Sequence, residues 1–152
     1  MMVSPFASDP TANPPASMPA SPLSEAPLTW WRTLPPETLD VFAQQRLRAS
    51  LLAVPVLQLP GWKAAIQADP AAAIGVALTV LAEGVARPGS LDLALSTVLL
   101  CATLGDPACC ALLVHALGRR ARRRADLDVL RLAHAWRHRG HQGSPFVPAP
   151  GR

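Results

Sequence analysis

Apolar residues recur every three or four positions through the middle of the chain, and this spacing predicts α-helices. The first helix begins near Pro36, because proline fits a first helical turn and acidic residues favour that end of the helix dipole. Pro55 ends it, and Pro60-Gly61 marks a turn. The apolar face of this helix is predicted to consist of Leu39, Phe42, Ala43, Leu47, Leu51 and Val54.

Two neighbouring segments repeat one order of start and stop signals. Each opens with Asp-Pro-Ala, at Asp69 and again 37 residues later at Asp106. The aspartate can cap a helix and the proline fits its first turn. Each segment then has an apolar stretch, a second start and a glycine stop, which predicts two stacked helical hairpins. The second starts are Asp92-Leu93 and Asp126-Leu127, and the stops are Gly105 and Gly140.

Proline, glycine and capping positions set the bounds of a further short helix and of the two helices of the first hairpin. A short helix is expected over 62–68, a nearly apolar one from Pro70 to about Ala86, and another over 91–104 with Ser90 as its cap. Because such apolar helices need cover on most sides, we expect them to be buried.

The stretch after Pro107 contains no further proline until Pro145 and allows two interpretations. One is a single helix from Pro107 to Arg139. The other, which we favour, breaks near Arg124 and restarts with Asp126 as the cap. The apolar stripe of this last helix is predicted to include Leu127, Leu130, Leu132 and Ala133.

These patterns predict an all-α fold, a small helical bundle or short α-solenoid of five to six helices. Residues 1–28 contain seven prolines, five serines and no Arg or Lys, so we expect a disordered tail. The helical domain is expected over 29–140, followed by a flexible C-terminal tail over 141–152. Residues 1–20 lack the basic and apolar regions of a secretory signal, which favours a plain tail over a secretion signal.

Positive charge is concentrated near the C-terminal end. Residues 106–152 carry nine arginines against three aspartates, whereas residues 1–105 carry five basic and seven acidic side chains. Five guanidinium groups within six residues suit carboxylate or phosphate recognition, although a solvated basic face is the simpler alternative. The candidate anion- or partner-binding residues are Arg119, Arg120, Arg122, Arg123 and Arg124.

Two adjacent indoles, Trp30 and Trp31, are candidate partner anchors. The alternative is that they fasten the first helix onto the core.

The sequence contains no clear motif for a disulfide, a metal site or a catalytic site. Cys101, Cys109 and Cys110 lie in apolar helical context, where we expect reduced core thiols rather than disulfides. His134, His138 and His141 have a spacing that can share a metal ion, but the positive charges of Arg137 and Arg139 oppose one there. Glu83 would need a partner if buried, and Arg87 is four residues away. We therefore expect no enzyme, no cofactor and no metal site.

The leading functional hypothesis is a cytoplasmic, non-enzymatic adaptor that binds another protein through its helical surface and arginine cluster. The first alternative is a nucleic-acid-binding accessory protein that uses Arg119 to Arg124. A membrane-associated helical protein is the second, since residues 93–118 are almost wholly apolar, although Asp106 in their middle opposes insertion. The excess of apolar residues is also compatible with a homo-oligomer.

Overall fold

A computed structural model describes residues 26–55, 57–83 and 89–142. Within these ranges the chain forms α-helices and two short 3-10 helices, Pro27–Arg32 and Pro36–Thr38, without a strand. The all-α prediction is confirmed. The helices are α1 (Val41–Ala53), α2 (Trp62–Ala65), α3 (Pro70–Glu83), α4 (Ser90–Thr103), α5 (Pro107–Arg124) and α6 (Leu127–Gln142).

Helix α4 is the centre of the bundle. It contacts α3, α5, α1 and the 3-10 helix Pro27–Arg32. Ten consecutive residues, 94–103, are buried, as expected for a helix that is apolar on all sides. Its buried hydroxyl groups donate to backbone carbonyls: Ser96 to Leu28 and Asp92, and Thr103 to Leu100. The polar groups therefore enter the core without the cost of a missing hydrogen bond.

Both Asp-Pro corners are capped as the sequence predicts. Asp69 Oδ1 accepts a hydrogen bond of 3.0 Å from the Ala72 amide, and Asp106 Oδ1 accepts one of 2.8 Å from the Cys109 amide. Gly105 stops α4 with a φ of +98°, in the left-handed region that favours glycine. Helices α3 and α4 contact each other, as do α5 and α6, so the two predicted hairpins are present.

The stretch after Pro107 breaks where the sequence predicts. Helix α5 ends at Arg124, and Ala125 turns the chain with a φ of +51°. The Asp126 carboxylate then accepts hydrogen bonds from the amides of Asp128 and Val129 at 3.0 and 3.2 Å. The alternative of one continuous helix is wrong, because these contacts close one helix and begin another.

Two signals of the repeated pattern, the second start of the first segment and the glycine stop of the second segment, do not act as predicted. Helix α4 begins at Ser90 after the left-handed Gly89, so neither Asp92 nor Ser90 is its cap. Gly140 lies inside α6 rather than ending it. A Cβ at Gly140 would stand 3.3 Å from the Cys110 Cβ, so this glycine allows α6 to approach α5 closely.

Helix α1 starts later than predicted. Asp40 caps it by accepting a 2.8 Å hydrogen bond from the Ala43 amide, while Pro36 begins a separate 3-10 helix. Most of the predicted apolar face is buried, but Phe42 is 75% exposed. The prediction for Phe42 is wrong. The face of α1 that packs against α4 consists of Leu47 and the residues one turn before and after it, Ala43 and Leu51, and Phe42 lies off this face. The short helix predicted over 62–68 ends at Ala65.

Helix α6 buries a different stripe from the one predicted. Leu127 and Leu130 are exposed, whereas Leu132 and Ala133 are buried as expected. The face toward α5 follows the i, i+3, i+4, i+7 spacing that one helical face requires. Its buried members are Val129, Leu132, Ala133 and Trp136.

The predicted boundaries of the tails shift toward the ends of the chain. Pro27 and Leu28 belong to the first 3-10 helix, and His141 and Gln142 belong to α6. Apart from Ala26, the rest of the two predicted tails lies outside the described residues, as does the predicted end of α3 at Ala86.

Candidate anion-binding groove

The C-terminal half of α5 carries arginines toward the beginning of α4. Helix α5 begins after its cap, Asp106, and its last two turns lie beside the 3-10 helix that contains Trp31. A groove of about 250 Å³ lies there. Four arginines and five apolar or aromatic side chains line it. The lining residues are Trp31, Leu81, Leu91, Leu95, Ala116, Arg119, Arg120, Arg123 and Arg124.

Asp92 lies beside this groove, and its carboxylate already accepts hydrogen bonds from other side chains of the chain. Its Oδ1 accepts a 2.8 Å hydrogen bond from the Trp31 indole and a 3.2 Å hydrogen bond from Arg32 Nε. Its Oδ2 lies 3.5 Å from Arg32 Nη2. The carboxylate therefore holds the 3-10 helix against α4, and the described residues that line the groove include no Asp or Glu.

Arg120 is the most constrained arginine of the groove. Its guanidinium carbon lies 6.0 Å from the centroid of the Trp31 ring, within the range of a cation–π contact. Burial lowers the pKa of Arg120, and the positive charges of Arg124 and Arg32 lower it further. Both causes disfavour the charged form, whereas the negative charges of Asp92 and Asp126 oppose this shift in the pKa. An anion placed beside Arg120 would favour the charged form in the same way.

The structure divides the predicted arginine cluster. Arg119, Arg120, Arg123 and Arg124 share the groove, while Arg122 lines a separate cavity between α5 and α6. This division follows from helical geometry, because successive residues on a helix point about 100° apart.

Trp30 and Trp31, the candidate anchors, are both buried within the chain. Arg46 lies over the Trp30 ring at 5.3 Å from its centroid, and the Trp31 indole is hydrogen-bonded to Asp92. As the chain is folded here, the two side chains fasten the segment before α1 to the core. Their indoles are not presented to a partner, which corrects the anchor assignment.

Two groove features are absent from the sequence prediction, the Arg32–Asp92 pair and the apolar floor. Sixty residues separate Arg32 from Asp92, so no local spacing signals their contact. Leu91 and Leu95 read as core positions of an apolar helix. Leu95 is fully buried beneath the groove, and only Leu91, which is half-buried, keeps part of its side chain in reach of a ligand.

The three cysteines are buried and free, as predicted for core thiols. The Cys109 thiol is hydrogen-bonded to Cys101, which raises the pKa of Cys109 and lowers the pKa of Cys101. Burial raises the pKa of Cys110, whose thiol also contacts the carbonyl of Ala102 at 3.8 Å. Because a protonated thiol is a poor nucleophile, Cys109 and Cys110 are chemically quiet in this fold.

The remaining candidates bring no chemical group together. In the described ranges, no three His, Cys, Asp or Glu side chains are grouped to hold a metal ion. Glu83 is exposed at the end of α3, and Arg87 lies outside the described residues. Over the same ranges, no helix has both the length and the apolar character needed to cross a membrane.

Comparisons with protein-family models, curated proteins and solved structures found no match to this chain.

Proposed function

We propose that this chain is a non-enzymatic interaction domain that binds an acidic, amphipathic segment of a partner protein in the arginine groove. The observation that carries the proposal is the composition of the groove, with four arginines beside apolar side chains and no Asp or Glu among the described lining residues. A carboxylate-bearing segment with interspersed leucines complements both the charged and the apolar lining residues. The arginine fork matches carboxylates by paired hydrogen bonds.

The apolar lining of the groove favours a protein partner over nucleic acid. The half-buried Leu81 and Leu91 would be covered by apolar side chains of a peptide, each contributing through the area that it removes from water. A phosphate backbone would leave that surface bare. The nucleic-acid alternative relies on the same guanidinium groups but gains nothing from these leucines.

The position of the groove supports the same proposal. Its walls come from α3, α4, α5 and the Trp31 segment, and the Trp31–Asp92 hydrogen bond fixes one wall against another. A preformed groove loses little conformational freedom when a ligand binds, so less of the free energy gained from the contacts is offset by ordering the protein.

The test is binding of a synthetic amphipathic helix with glutamates on one face and leucines on the other, measured by fluorescence anisotropy with the full chain. Arg120→Glu and Arg119→Glu should each abolish detectable binding or weaken it at least tenfold, because a repulsive charge replaces an attractive one. The matched control is Arg131→Glu on α6, since Arg131 lies outside the groove and is highly exposed.

The salt dependence of the binding affinity distinguishes the proposed protein partner from nucleic acid. Peptide binding should retain part of its affinity at high salt, because the apolar contacts are not screened. Binding of random duplex DNA should instead fall log-linearly with salt concentration. The proposal is overturned if the duplex binds and the peptide does not, or if Arg131→Glu weakens peptide binding as much as Arg120→Glu.

A further inference from the structure

A second basic cavity lies between α5 and α6, separate from the arginine groove. Its volume is about 310 Å³, within the range of small-molecule sites. Four basic side chains line it, two from each helix, and the described lining residues include no Asp or Glu. These basic residues are His115, Arg122, His134 and Arg137.

The Arg122 side chain lies over Gly118 on the same helix. Its Nη1 lies 3.7 Å from the position that a Cβ at Gly118 would occupy, so the guanidinium folds back along α5. Gly118 itself lines the cavity. The four basic residues of the cavity are exposed at its mouth. Arg131 on α6 is exposed too, but it pairs with Asp128 at 2.8 Å. Among the described residues, Arg122 and Arg137 form no ion pair, which leaves their charge available to a ligand.

An apolar cavity continues from the basic one. Its volume is about 490 Å³, and it shares Ala111, Val114 and Arg137 with its neighbour. The Trp136 ring forms part of its wall. The Trp136 Nε1 is buried without a hydrogen-bond partner among the described residues. The close approach of Gly140 to Cys110 shapes the far end of this cavity.

We propose that these two cavities together bind a small organic phosphate, an alkyl or aryl phosphate monoester. The phosphate would sit among the four basic side chains, and the apolar body would lie along Ala111 and Val114 toward Trp136. A monoester carries close to two negative charges at neutral pH, which suits two arginines better than a single carboxylate does. The inference goes beyond the proposed function, because it uses a different cavity and, of the predicted cluster, only Arg122.

The experiment is titration calorimetry of the full chain with hexyl phosphate, inorganic phosphate and hexanol. Hexyl phosphate should bind most tightly, with affinity rising about fourfold for each methylene that becomes buried. Arg122→Gln and Arg137→Gln should each weaken binding roughly tenfold or more, since each removes a charge-assisted hydrogen bond. Arg131→Gln is the matched control and should leave binding unchanged.

A second variant separates the two halves of the proposed ligand. Ala111→Leu adds bulk where the cavities join, so it should bring the affinity for hexyl phosphate down to that for inorganic phosphate, while phosphate itself binds as before. Circular dichroism of each variant reports whether the helices are intact. An affinity for hexanol equal to that for hexyl phosphate would overturn the proposal, as would equal effects of Arg131→Gln and Arg137→Gln.

The source of the phosphate is a further arm of the same experiment. A free metabolite and a lipid headgroup present similar chemistry, so vesicles of phosphatidylcholine with and without phosphatidic acid are compared by co-sedimentation. Binding of monomeric hexyl phosphate without sedimentation identifies a free ligand, and binding to both forms supports a lipid source for the same site. Sedimentation without binding of hexyl phosphate overturns the proposal, because an exposed basic surface then explains the attraction.

Discussion

The indole of Trp31 donates a hydrogen bond of 2.8 Å to Oδ1 of Asp92, a residue 61 positions later in the chain. Arg32 donates to the same oxygen at 3.2 Å. A carboxylate in the first turn of α4 thereby fastens the 3-10 helix Pro27–Arg32 to the central helix of the bundle. Because this contact also positions one wall of the arginine groove, stability and the candidate site depend on one side chain.

Asp92→Ala should lower the free energy of unfolding by about 1–3 kcal/mol, since it leaves the buried indole N–H without its partner. Asp92→Asn should cost less, because an amide oxygen can still accept from Trp31 while the ion pair with Arg32 is lost. Urea unfolding measures both. The control is Asp128→Ala, which breaks a highly exposed pair with Arg131 and should change stability by less than about 1 kcal/mol. Equal losses in Asp92→Ala and Asp128→Ala would contradict the anchoring role.

Two glycines inside helices should respond oppositely to substitution. Nothing lies within 4 Å of a Cβ added at Gly75, so Gly75→Ala should stabilise the protein by about 0.5–1 kcal/mol through helix propensity. At Gly140 an added Cβ meets the Cys110 Cβ at 3.3 Å, and Gly140→Leu should be destabilising. Thermal unfolding compares the two variants. A gain in stability for Gly140→Leu would show that α5 and α6 need no close approach there.

Phe42 and Leu47 share the predicted apolar face of α1 but differ in burial. Leu47→Ala should cost about 2–5 kcal/mol, because it leaves a cavity beneath a side chain that is 0% exposed. Phe42→Ser should stay within about 0.5 kcal/mol, since its ring is largely in water already. Denaturant unfolding of both variants checks the assignment of the face. A large loss for Phe42→Ser would indicate that another surface covers this ring.

Alkaline pH should destabilise the fold in part through Cys110. Burial raises the pKa of this thiol, the charge of Arg139 opposes the rise, and Asp106 adds to it. An unfolded thiol loses its proton near pH 8.5 while the folded one keeps it, so ΔG of unfolding falls as pH rises above about 8.5. The slope for one group is at most about 1.4 kcal/mol per pH unit.

Cys110→Ala isolates this effect, because it removes one titrating group and keeps the Cβ. The difference in ΔG of unfolding between this variant and the natural chain should shift in favour of the variant between pH 8 and pH 10. Urea titrations at several pH values measure it. A difference that stays constant with pH would mean that the thiol ionises equally in both states.

Much of the fold was predictable because its signals are local. Asp69, Asp106 and Asp126 cap the helices that follow them, and Gly105 ends the one before it, since capping involves residues only a few positions apart. Helical periodicity likewise placed Leu47 and Leu51 in the core. The same local logic failed at Asp92 and Gly140, where a residue typical of a helix end serves a neighbouring helix instead.

The candidate site was only partly predictable, because it depends on which helices meet. The sequence located the arginines of the cluster but treated them as one patch. Packing of α5 assigned Arg120 to the groove over Trp31 and Arg122 to the cavity beside α6. Likewise, the indoles of Trp30 and Trp31 read as equally suited to a partner and to the core, and only tertiary contacts placed them inside.

The sequence by itself determined the helical class, the hairpin corners, the break before α6 and the buried state of the cysteines, since each follows from short-range hydrogen bonding or apolar composition. Tertiary structure decided the partner of Asp92, the exposure of Phe42 and Leu127, and the division of the arginines. These features depend on contacts between residues distant in the chain, and such contacts leave no spacing that a linear pattern can record.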